Sequence, residues 1–567
     1  MSKKLLLFSF FALSVTLNVA GLRYCLPSAA RTAMAVEPSQ LPQLTPALEK
    51  TREEVYGSYA KSGQIGLLKY FSRGEGTLEV RLDGEPRAVK KRTLDLIRGA
   101  LLQSEVPDDQ NTIRALAAIK PAELRFNPHF YQYGGVYLYP LGAFLKAAAA
   151  VGLFRLTGDV KYYFTHPRDA GDIYAYARLW GGMAGAAGVF LMFALGRRLY
   201  GTAAGLLSAF FYAALPMNAV EAHYFKPFFF FAPLLLGALY FCLDIAERGR
   251  NRDYLLAGLL TGLGAGAVIF AWAAVLPALA AHLLRLRGEG RPLTETFGAR
   301  RAAGPFLYLA AAAGAFFLFN PYWLLTPGEV LREFHHLLAS APMGGGAARA
   351  AVYFFSELPK AFGWPFWLLC AFGLAAAALR RKPGEIVLLA LIVPFYFYIS
   401  LSHPGAVHYA MPLVPPLVLL GAGLAASLGG LAVRPPVRAA AGAVLALTAG
   451  YTLLLSAHYD AVFLRPSART LAGEWLNANA PQGSSVAWNT YGPLYFRFLD
   501  HAEPGCPPEE PACRPDYLVL SEGDTVPGGY ALAAVAGRGG GLTDRLFPSP
   551  LTARLLSAEL RVYRRQK

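Results

Sequence analysis

Short clusters of basic residues recur between long apolar runs along this chain of 567 residues. Apolar runs of about twenty residues predict membrane spans, and basic clusters at their ends mark the cytoplasmic side. The clusters all fall on one side when the runs are counted as crossings. The pattern therefore predicts a multi-pass membrane protein and assigns each intervening segment to one face. The clusters lie at Arg197-Arg198, Arg248 to Arg252, Arg285 to Arg301, Arg380 to Lys382 and Arg434 to Arg438.

The composition agrees with this interpretation. Hydrophobic residues make up 55% of the chain and charged residues only 16%, which is too apolar for one soluble globule. The formal charge of +16 lies in arginine-rich turns, where it meets the anionic cytoplasmic leaflet, so we expect no nucleic-acid partner. The cysteines show no metal-ligand spacing with a histidine, and only Cys506 and Cys513 are candidates for a disulfide, in an oxidising compartment.

The number of spans depends on the stretch 253–285. A single helix there would place the segment from Arg285 to Arg301 outside, whereas two short helices broken near Gly262 to Gly266 return it to the cytoplasm. We take two, which predicts about 11 spans, the first an uncleaved one at Leu5 to Ala20. The other runs are 176–197, 202–220, 228–246, 303–320, 362–379, 385–402, 408–429 and 437–457.

Two large segments then face outward, at 23–175 and 458–567, while the amino terminus is cytoplasmic. The apolar run 135–156 must not cross, because crossing would invert every later span, so we expect an interfacial helix there. A short hairpin is predicted around Asp83-Gly84. We expect the protein in the cell (inner) membrane, with the carboxyl-terminal segment extracytoplasmic.

The carboxyl-terminal segment has the pattern of a small α/β module. A helix is predicted at Ser467 to Ala478, with strands at Gly483 to Trp488 and Tyr517 to Leu520. The predicted fold is thus mainly α, a polytopic membrane helical bundle with a large first outer loop. It divides into a transmembrane domain at 1–457 and the α/β module at 458–567.

Ionisable residues gather at the outer ends of the predicted spans, although a transporter driven by ions or protons normally places them near the midplane. A mixture of acids, cations and aromatic rings on this rim fits chemistry on a lipid-borne substrate. Sugar transfer from a polyprenyl phosphate requires a carboxylate to accept the hydroxyl proton and cations to stabilise the departing phosphate. The rim residues are Asp108, Asp109, Asn127, His129, Tyr131, Tyr133, Arg178, Glu221, His223, Lys226, Asn320, Tyr322, His335, His336, Lys360, His403, His408 and Tyr409.

Several of these features also have a purely structural interpretation. Pro107 to Leu116 has the form of a helix start, where acids cap N–H groups and favour the helix dipole. Asn127-Pro-His129 fits an ordinary aromatic turn, and His335-His336 fits an exposed helix pair. Lys226, next to Pro227, fits an interfacial anchor. These alternatives stay open at the level of sequence.

In these motifs the chain resembles the membrane glycosyltransferases of the C-type fold that use lipid-phosphate-linked sugars. That group includes protein O-mannosyltransferases and the aminoarabinose transferase of lipid A. The resemblance covers most of the chain and rests on the order and topology of short motifs. They are Asp108-Asp109, Asn127 to Pro140, Ala177-Arg-Leu179, Arg197 to Gly201, Ala222-His-Tyr224, Asn320-Pro-Tyr322 and Tyr409 to Leu413.

The resemblance implies an inverting displacement from a polyprenyl-phosphate-linked sugar to a hydroxyl of a lipid, glycan or protein. It implies that the base is Asp108, with Asp109 as its acidic neighbour, and that interfacial helices lie in the first outer loop. No metal ion or other cofactor is implied, since the sequence has no Asp-x-Asp motif and no glycine-rich loop opening a helix after a strand. The residues assigned to donor phosphate and substrate are Arg178, His223, Lys226, Lys360, His408, Tyr409, His129 and Tyr133.

The chain also departs from the family pattern. A long segment separates the first span from the acidic pair, which leaves Glu53-Glu54 and Asp83 as alternative acids. The family often has an acid after His223, where this chain has Lys226. The residue before Tyr409 is commonly basic and here is His408, whose charge depends on pH. Two other functions stay open: a flippase or transporter of a lipid-linked substrate, and a catalytically inactive membrane assembly partner.

Overall fold

The computed structural model describes residues 2–62, 76–106, 108–290, 303–340, 344–402, 407–431, 435–489, 494–501, 514–521, 524–537 and 559–566. Its chain forms two compact units, each built from segments that are far apart in the sequence. The first unit contains Met1–Ala20, Phe130–Gly142 and Arg178–Asp460. The second contains Gly21–His129, Ala143–Ala177 and Ala461–Lys567. Cys506, Cys513 and His403 lie outside the described residues.

The protein is mainly helical. Its helices are α1 (Lys3–Val19), α2 (Ala29–Ala35), α3 (Leu41–Ser62), α4 (Lys91–Leu102), α5 (Asp109–Ala118), α6 (Gly135–Ala150), α7 (Val160–Thr165), α8 (Pro167–Ala186), α9 (Gly188–Tyr200), α10 (Thr202–Ala213), α11 (Pro216–Ala222), α12 (Ala232–Glu247), α13 (Asn251–Ala267), α14 (Val275–Gly288), α15 (Ala303–Phe319), α16 (Tyr322–Leu325), α17 (Pro327–Ser340), α18 (Gly346–Val352), α19 (Leu358–Phe362), α20 (Trp364–Arg380), α21 (Pro383–Ser402), α22 (Val414–Leu431), α23 (Pro435–Phe463) and α24 (Ala468–Asn479). Tighter or wider turns occur at Pro121–Glu123, Ile269–Ala274 and Val407–Leu413, which are 3-10 helices, and at Tyr353–Glu357, which is a π-helix.

The stretch 253–285 is broken close to the predicted point. Helix α13 ends at Ala267, Val268 has an extended backbone with φ −149° and ψ 128°, and the 3-10 turn Ile269–Ala274 leads into α14. Before the break, Gly262 allows α13 to pack closely on α15, because a β-carbon there would meet the carbonyl oxygen of Ala312. The prediction of two helices is therefore confirmed.

Several helical segments are long and apolar enough to cross a membrane, as expected of a multi-pass membrane protein. Within the described part of the chain there are 5 such segments, or up to 6 if the pair α10 and α11, bent by 45°, forms one span. Helices α15 and α20 are apolar but shorter. The 5 segments are Pro167–Tyr200, Ile269–Gly288, Pro383–Ser402, Val407–Gly429 and Pro435–Asn479.

Two sheets lie in the second unit. Strands β1 (Thr77–Leu82) and β2 (Glu85–Lys90) form an antiparallel hairpin around Asp83 and Gly84, whose φ angles of 53° and 89° belong to the left-handed region. Such angles at both central residues are typical of the tight turns that suit a twisted hairpin. The predicted hairpin is confirmed.

The second sheet has the order β3-β4-β6-β5. Its strands are β3 (Val486–Asn489), β4 (Tyr517–Ser521), β5 (Tyr530–Ala536) and β6 (Leu560–Arg565). Strands β3 and β4 are parallel, and the other pairs are antiparallel. Helix α24 precedes the sheet and begins at Ser467, whose hydroxyl accepts the Thr470 N–H at 3.1 Å. The predicted helix and the two predicted strands correspond to α24, β3 and β4.

The core of the second unit combines early and late parts of the chain. Leu48, Leu94 and Ile97 from α3 and α4 are fully buried in one cluster with Leu476 of α24 and Val562 of β6. Apolar burial of this kind stabilises by about 25 cal/mol per Å² removed from water. Helix α24 and strand β6 thus share a hydrophobic core with helices α3 and α4.

Candidate functional site

In the first unit, residues 130–135 pass directly over the break after α13. The Gly134 N–H donates to the Ala267 carbonyl at 3.0 Å, and the Gly135 N–H donates to Asn320 Oδ1 at 2.9 Å. A β-carbon on Gly134 would collide with the Gly266 carbonyl and the Asn320 amide. The glycine pair and Asn320, which the sequence places in separate motifs, therefore form one backbone contact.

This contact places Tyr133 in a group of packed aromatic rings. The Tyr133 ring meets Phe228 edge-on with centroids 6.1 Å apart, and Phe228 lies 5.4 Å from His408 and 5.6 Å from Tyr409. The Phe270 ring is 5.3 Å from Tyr409. Edge-to-face packing at such separations is favourable. We call Tyr133, Phe228, Phe270, His408 and Tyr409 the aromatic cluster; it brings together three residues predicted to bind substrate.

Two predicted cations of the same unit are buried. Arg178 is 1% exposed and Lys226 is 2% exposed. The Lys226 ammonium lies 5.3 Å from the centroid of the Tyr224 ring, a cation–π contact. Burying a cation is costly unless an anion or polar groups surround it. Polar or charged groups must therefore surround both cations within the fold.

His223 is buried between two parts of the first unit. Its Nδ1 lies 2.7 Å from the Ala219 carbonyl and its Nε2 lies 2.6 Å from the Ala20 carbonyl. Arg178 is close enough to His223 for their charges to interact. With both ring nitrogens beside backbone carbonyls, His223 connects the end of α11 to the end of α1.

The acidic pair lies in the second unit, at the start of α5. Asp108 is at the N-cap position with φ −66° and ψ −23°, and its side chain makes no capping hydrogen bond. A capping side chain normally belongs to a residue with extended backbone, so the interpretation of Asp108 as a simple cap is not supported. Asp109, in the first turn, is fully buried, where the helix dipole favours a negative charge.

The residues around the acidic pair fix its position. Gln110 Oε1 accepts the Tyr174 hydroxyl at 3.1 Å, and the same hydroxyl lies 3.0 Å from the Leu102 carbonyl. Both Gln110 and Tyr174 are buried. The first turn of α5 is thereby anchored to α8 and to the end of α4.

The alternative acids, Glu53, Glu54 and Asp83, lie on α3 and in the hairpin turn. Glu54 forms an ion pair with Lys91 at 2.6 Å, and Glu53 is exposed on α3. Asp83 sits in the hairpin turn, where its N–H donates to Gln43 Oε1 at 2.7 Å. The acidic pair is more deeply buried than any of these three, but the choice among the acids stays a prediction.

Two other predicted site residues have local structural contacts. Lys360 donates to Glu357 Oε1 at 2.8 Å, one turn away on the adjoining π-helix. His129 has a left-handed backbone with φ 49°, and its N–H donates to Asn127 Oδ1 at 3.0 Å. The turn expected at Asn127-Pro-His129 is therefore present. Neither contact tests a role in substrate binding.

Two glutamates that sequence reasoning did not select also contact the 130–135 segment. Both oxygens of Glu333 lie 3.1 Å from the Tyr131 N–H, and Oε1 also accepts the Gln132 N–H at 3.2 Å. Glu329 Oε2 accepts the Tyr131 hydroxyl at 2.7 Å. Burial raises the pKa of Glu333 to about 7, although the Tyr131 N–H opposes this change. The available signal was the spacing of Glu329 and Glu333, which are four residues apart and therefore lie on one face of α17.

The structure offers no cluster of metal ligands in the part of the chain that it describes. No three His, Cys, Asp or Glu side chains there lie together in a way that suits a metal ion. The expectation of metal-independent chemistry stays a prediction.

A comparison with protein families matches residues 171–325 to the family described as dolichyl-phosphate-mannose-protein mannosyltransferase. The matched segment contains Arg178, His223, Lys226 and Asn320, whereas the acidic pair lies before it and the aromatic pair His408-Tyr409 after it. No curated protein matches the chain by sequence.

Three similar solved structures are two of ArnT from Cupriavidus metallidurans and one of the oligosaccharyltransferase from Archaeoglobus fulgidus in the apo form. ArnT in the apo state is 14% identical, covering 73% of this chain and 88% of ArnT, with a TM-score of 0.43. ArnT bound to undecaprenyl phosphate is 12% identical, covering 99% and 98%, with a TM-score of 0.44. The oligosaccharyltransferase is 13% identical, covering 84% of this chain and 59% of its own, with a TM-score of 0.41.

The family match confirms the resemblance read from the sequence motifs. The chain is similar to C-type-fold membrane glycosyltransferases of the protein O-mannosyltransferase and aminoarabinose transferase group. The match indicates a glycosyltransferase, and the apolar helices indicate one that crosses the membrane several times.

Proposed function

We propose that this protein transfers a sugar from a polyprenyl-phosphate carrier to a hydroxyl acceptor at the outer face of the membrane. The observation that carries the proposal is the burial of two cations, Arg178 and Lys226, within the segment that matches the mannosyltransferase family. A buried cation is stable beside an anion, and the donor named in the family description is a lipid phosphate. We assign these two cations to the phosphate of the donor.

The reaction is a single displacement with inversion at the anomeric carbon. The acceptor hydroxyl oxygen attacks that carbon while its proton passes to the Asp108 carboxylate. The bond between the anomeric carbon and the phosphate oxygen breaks, and its electron pair stays on the phosphate. The products are the glycosylated acceptor and the free polyprenyl phosphate. Fixed cations near the leaving group lower the barrier because negative charge grows there in the transition state.

The geometry of the acidic pair supports Asp108 as the base. The anchored first turn of α5 restricts its position. Asp109 is fully buried beside it.

We assign the aromatic cluster to the non-phosphate part of the donor. Aromatic rings stack on sugar faces and pack against isoprenoid chains, and Tyr133, His408 and Tyr409 already share one packed group around Phe228. His129, His223 and Lys360 are proposed to complete the substrate site. The sugar is a hexose or a pentose, and the acceptor is a hydroxyl of a lipid, glycan or protein.

The topology that suits this function has about eleven spans and the acidic pair outside. We propose that the protein lies in the cell (inner) membrane with a cytoplasmic amino terminus and an extracytoplasmic carboxyl-terminal module. The basic turns between spans then meet the anionic cytoplasmic leaflet. Its partners are membrane lipids, the polyprenyl-phosphate sugar and the hydroxyl acceptor.

The direct test is sugar release from a panel of radiolabelled polyprenyl-phosphate donors by purified protein in liposomes, with lipid, glycan and peptide acceptors. We expect label to pass to one acceptor class while free polyprenyl phosphate appears in equal amount. Movement of an intact donor between leaflets without cleavage would instead identify a flippase. Neither cleavage nor movement with any donor would identify an inactive assembly partner.

A further inference from the structure

The 130–135 segment is held from two sides by groups that lie far away in the sequence. On one side the Gly134 and Gly135 N–H groups donate to the Ala267 carbonyl and to Asn320. On the other side the Tyr131 and Gln132 N–H groups donate to the Glu333 carboxylate. Tyr133 lies between these two pairs of hydrogen bonds. Its backbone is therefore fixed at both neighbours, and its ring is directed to Phe228.

The hydrogen bonds from the Tyr131 and Gln132 N–H groups to α17 depend on the charge of Glu333. Glu333 is 6% exposed, and a carboxylate in such a place is costly unless it accepts several hydrogen bonds. Charge-assisted hydrogen bonds from backbone N–H groups to a carboxylate are roughly twice as strong as neutral ones. Glu329 of the same helix and Thr326, the residue before it begins, engage the Tyr131 hydroxyl at 2.7 and 2.9 Å. Two side chains of α17 and the residue that precedes it thus contact Tyr131.

We propose that Glu333 is a positioning residue for the lipid-phosphate donor: by holding the N–H groups of Tyr131 and Gln132, it keeps Tyr133 in the aromatic cluster. This inference rests on the proposed function. Glu333 touches neither donor nor acceptor and acts only through Tyr133. A neutral residue of the same shape would fill the space but would leave the two N–H groups without a carboxylate acceptor.

A consequence is that donor binding depends on the ionisation of Glu333. Its pKa is raised to about 7 by burial, with Glu329 on its own helix adding in the same direction. From the 131–132 segment it faces the two N–H groups and the Gln132 side chain, which favour the carboxylate. Protonation below neutral pH removes one acceptor oxygen and weakens the hold on the segment.

The test uses Glu333→Gln in the full-length protein, with Arg332→Gln as the matched control, because Arg332 is the exposed neighbour on α17. Amide hydrogen exchange of the substrate-free proteins at pH 8 is the first measurement. We expect faster exchange at Tyr131 and Gln132 in Glu333→Gln only, since the neutral amide oxygen of glutamine accepts their N–H groups more weakly than a carboxylate does. Unchanged exchange at these two amides would overturn the inference.

The second measurement is the Kd for undecaprenyl phosphate at pH 8 and pH 6. At pH 8 we expect Glu333→Gln to bind about tenfold more weakly than wild type, as loss of a charge-assisted hydrogen bond predicts. The phosphate of undecaprenyl phosphate also titrates in this range. The change in Kd that Glu333→Gln shows between pH 8 and pH 6 therefore measures the contribution of the lipid phosphate alone. Wild type should lose more affinity than Glu333→Gln on going to pH 6. Equal Kd values and equal pH dependence, with wild type binding well, would overturn the inference; no binding by wild type would overturn the proposed function.

Discussion

Glu105 and Arg469 form a buried ion pair that joins the chain between α4 and α5 to the start of α24. Their side chains are 2% and 1% exposed, with Arg469 Nη1 lying 3.5 Å from Glu105 Oε2 and 3.1 Å from the Glu105 carbonyl. Ser467, the residue that caps α24, donates its hydroxyl to Glu105 Oε1 at 3.0 Å. The Glu105 carboxylate thus contacts both Ser467 and Arg469, and it links the start of α24 to the chain just before Asp108.

Removing one partner of this pair should strongly destabilise the second unit. Arg469→Leu leaves the Glu105 carboxylate buried without its counter-charge, and we expect a loss of about 3–5 kcal/mol. Thermal unfolding of the purified protein measures the effect. Arg497→Gln is the control, because Arg497 pairs with Glu37 at a surface where both side chains are more than 40% exposed. That change should cost under about 1 kcal/mol. Equal losses in both variants would contradict the buried pair's role.

Asp108→Asn should lower the transfer rate while leaving donor binding intact. Loss of a general base typically reduces turnover by about a hundredfold to ten-thousandfold. The rate is measured with labelled donor, and donor affinity is measured separately with undecaprenyl phosphate. Glu123→Gln is the control, because Glu123 is an exposed acid of the same unit that pairs with Lys120 and Arg125. If Asp108→Asn turns over normally, the same assay on Asp109→Asn, Glu54→Gln and Asp83→Asn would identify another base.

Lys226→Met should remove the preference for a charged lipid. Methionine keeps much of the apolar length of lysine but cannot neutralise a phosphate, so we expect weaker binding of undecaprenyl phosphate and unchanged binding of undecaprenol. A loss of at least about tenfold fits a desolvated charge contact. Lys146→Met, at an exposed position on α6, is the control and should retain the preference. Parallel losses for both lipids in Lys226→Met would point to a packing defect.

Features set by neighbouring residues could be predicted from the sequence. The Asp83-Gly84 turn and the Ser467 cap follow from local backbone preferences, and both are present. The break after Gly266 follows from the parity of basic turns. The Lys360 contact with Glu357 could also have been predicted, because residues three apart on a helix are neighbours.

Contacts between distant residues could not be predicted in this way. Glu333 lies 202 positions from Tyr131, and nothing in its helix pattern says which backbone it meets. The same holds for Asn320 and Gly135, which are 185 positions apart. The sequence motifs identify Tyr133, His408 and Tyr409 separately, whereas their common neighbour Phe228 belongs to no motif and opens the predicted span 228–246. Side-chain roles that depend on a tertiary partner require the structure.

The stability of the protein should depend on the ionisation of Glu333. Burial raises its pKa from 4.5 to about 7, so the neutral form is favoured by the fold. The stabilising contribution is therefore complete below pH about 4.5 and is lost as pH rises to about 7, a difference of about 3 kcal/mol. We expect the melting temperature of wild type, relative to Glu333→Gln, to fall as pH increases from 5 to 8. A constant difference over this range would show that Glu333 titrates normally.

Gly134→Ala should separate the 130–135 segment from the break after α13. A methyl group at this position would overlap the Gly266 carbonyl, which is backbone, and the Asn320 amide oxygen, which is held by the Gly135 N–H. The Gly134 and Gly135 hydrogen bonds must lengthen, which costs about 1–3 kcal/mol for each buried group left without its partner. Gly314→Ala is the matched control in the same unit, because a β-carbon there meets nothing within 4 Å and alanine favours the helix. We expect lower thermal stability and weaker undecaprenyl phosphate binding in Gly134→Ala alone. If only stability falls, the glycine serves the fold, and Tyr133 reaches the aromatic cluster without the close backbone contact.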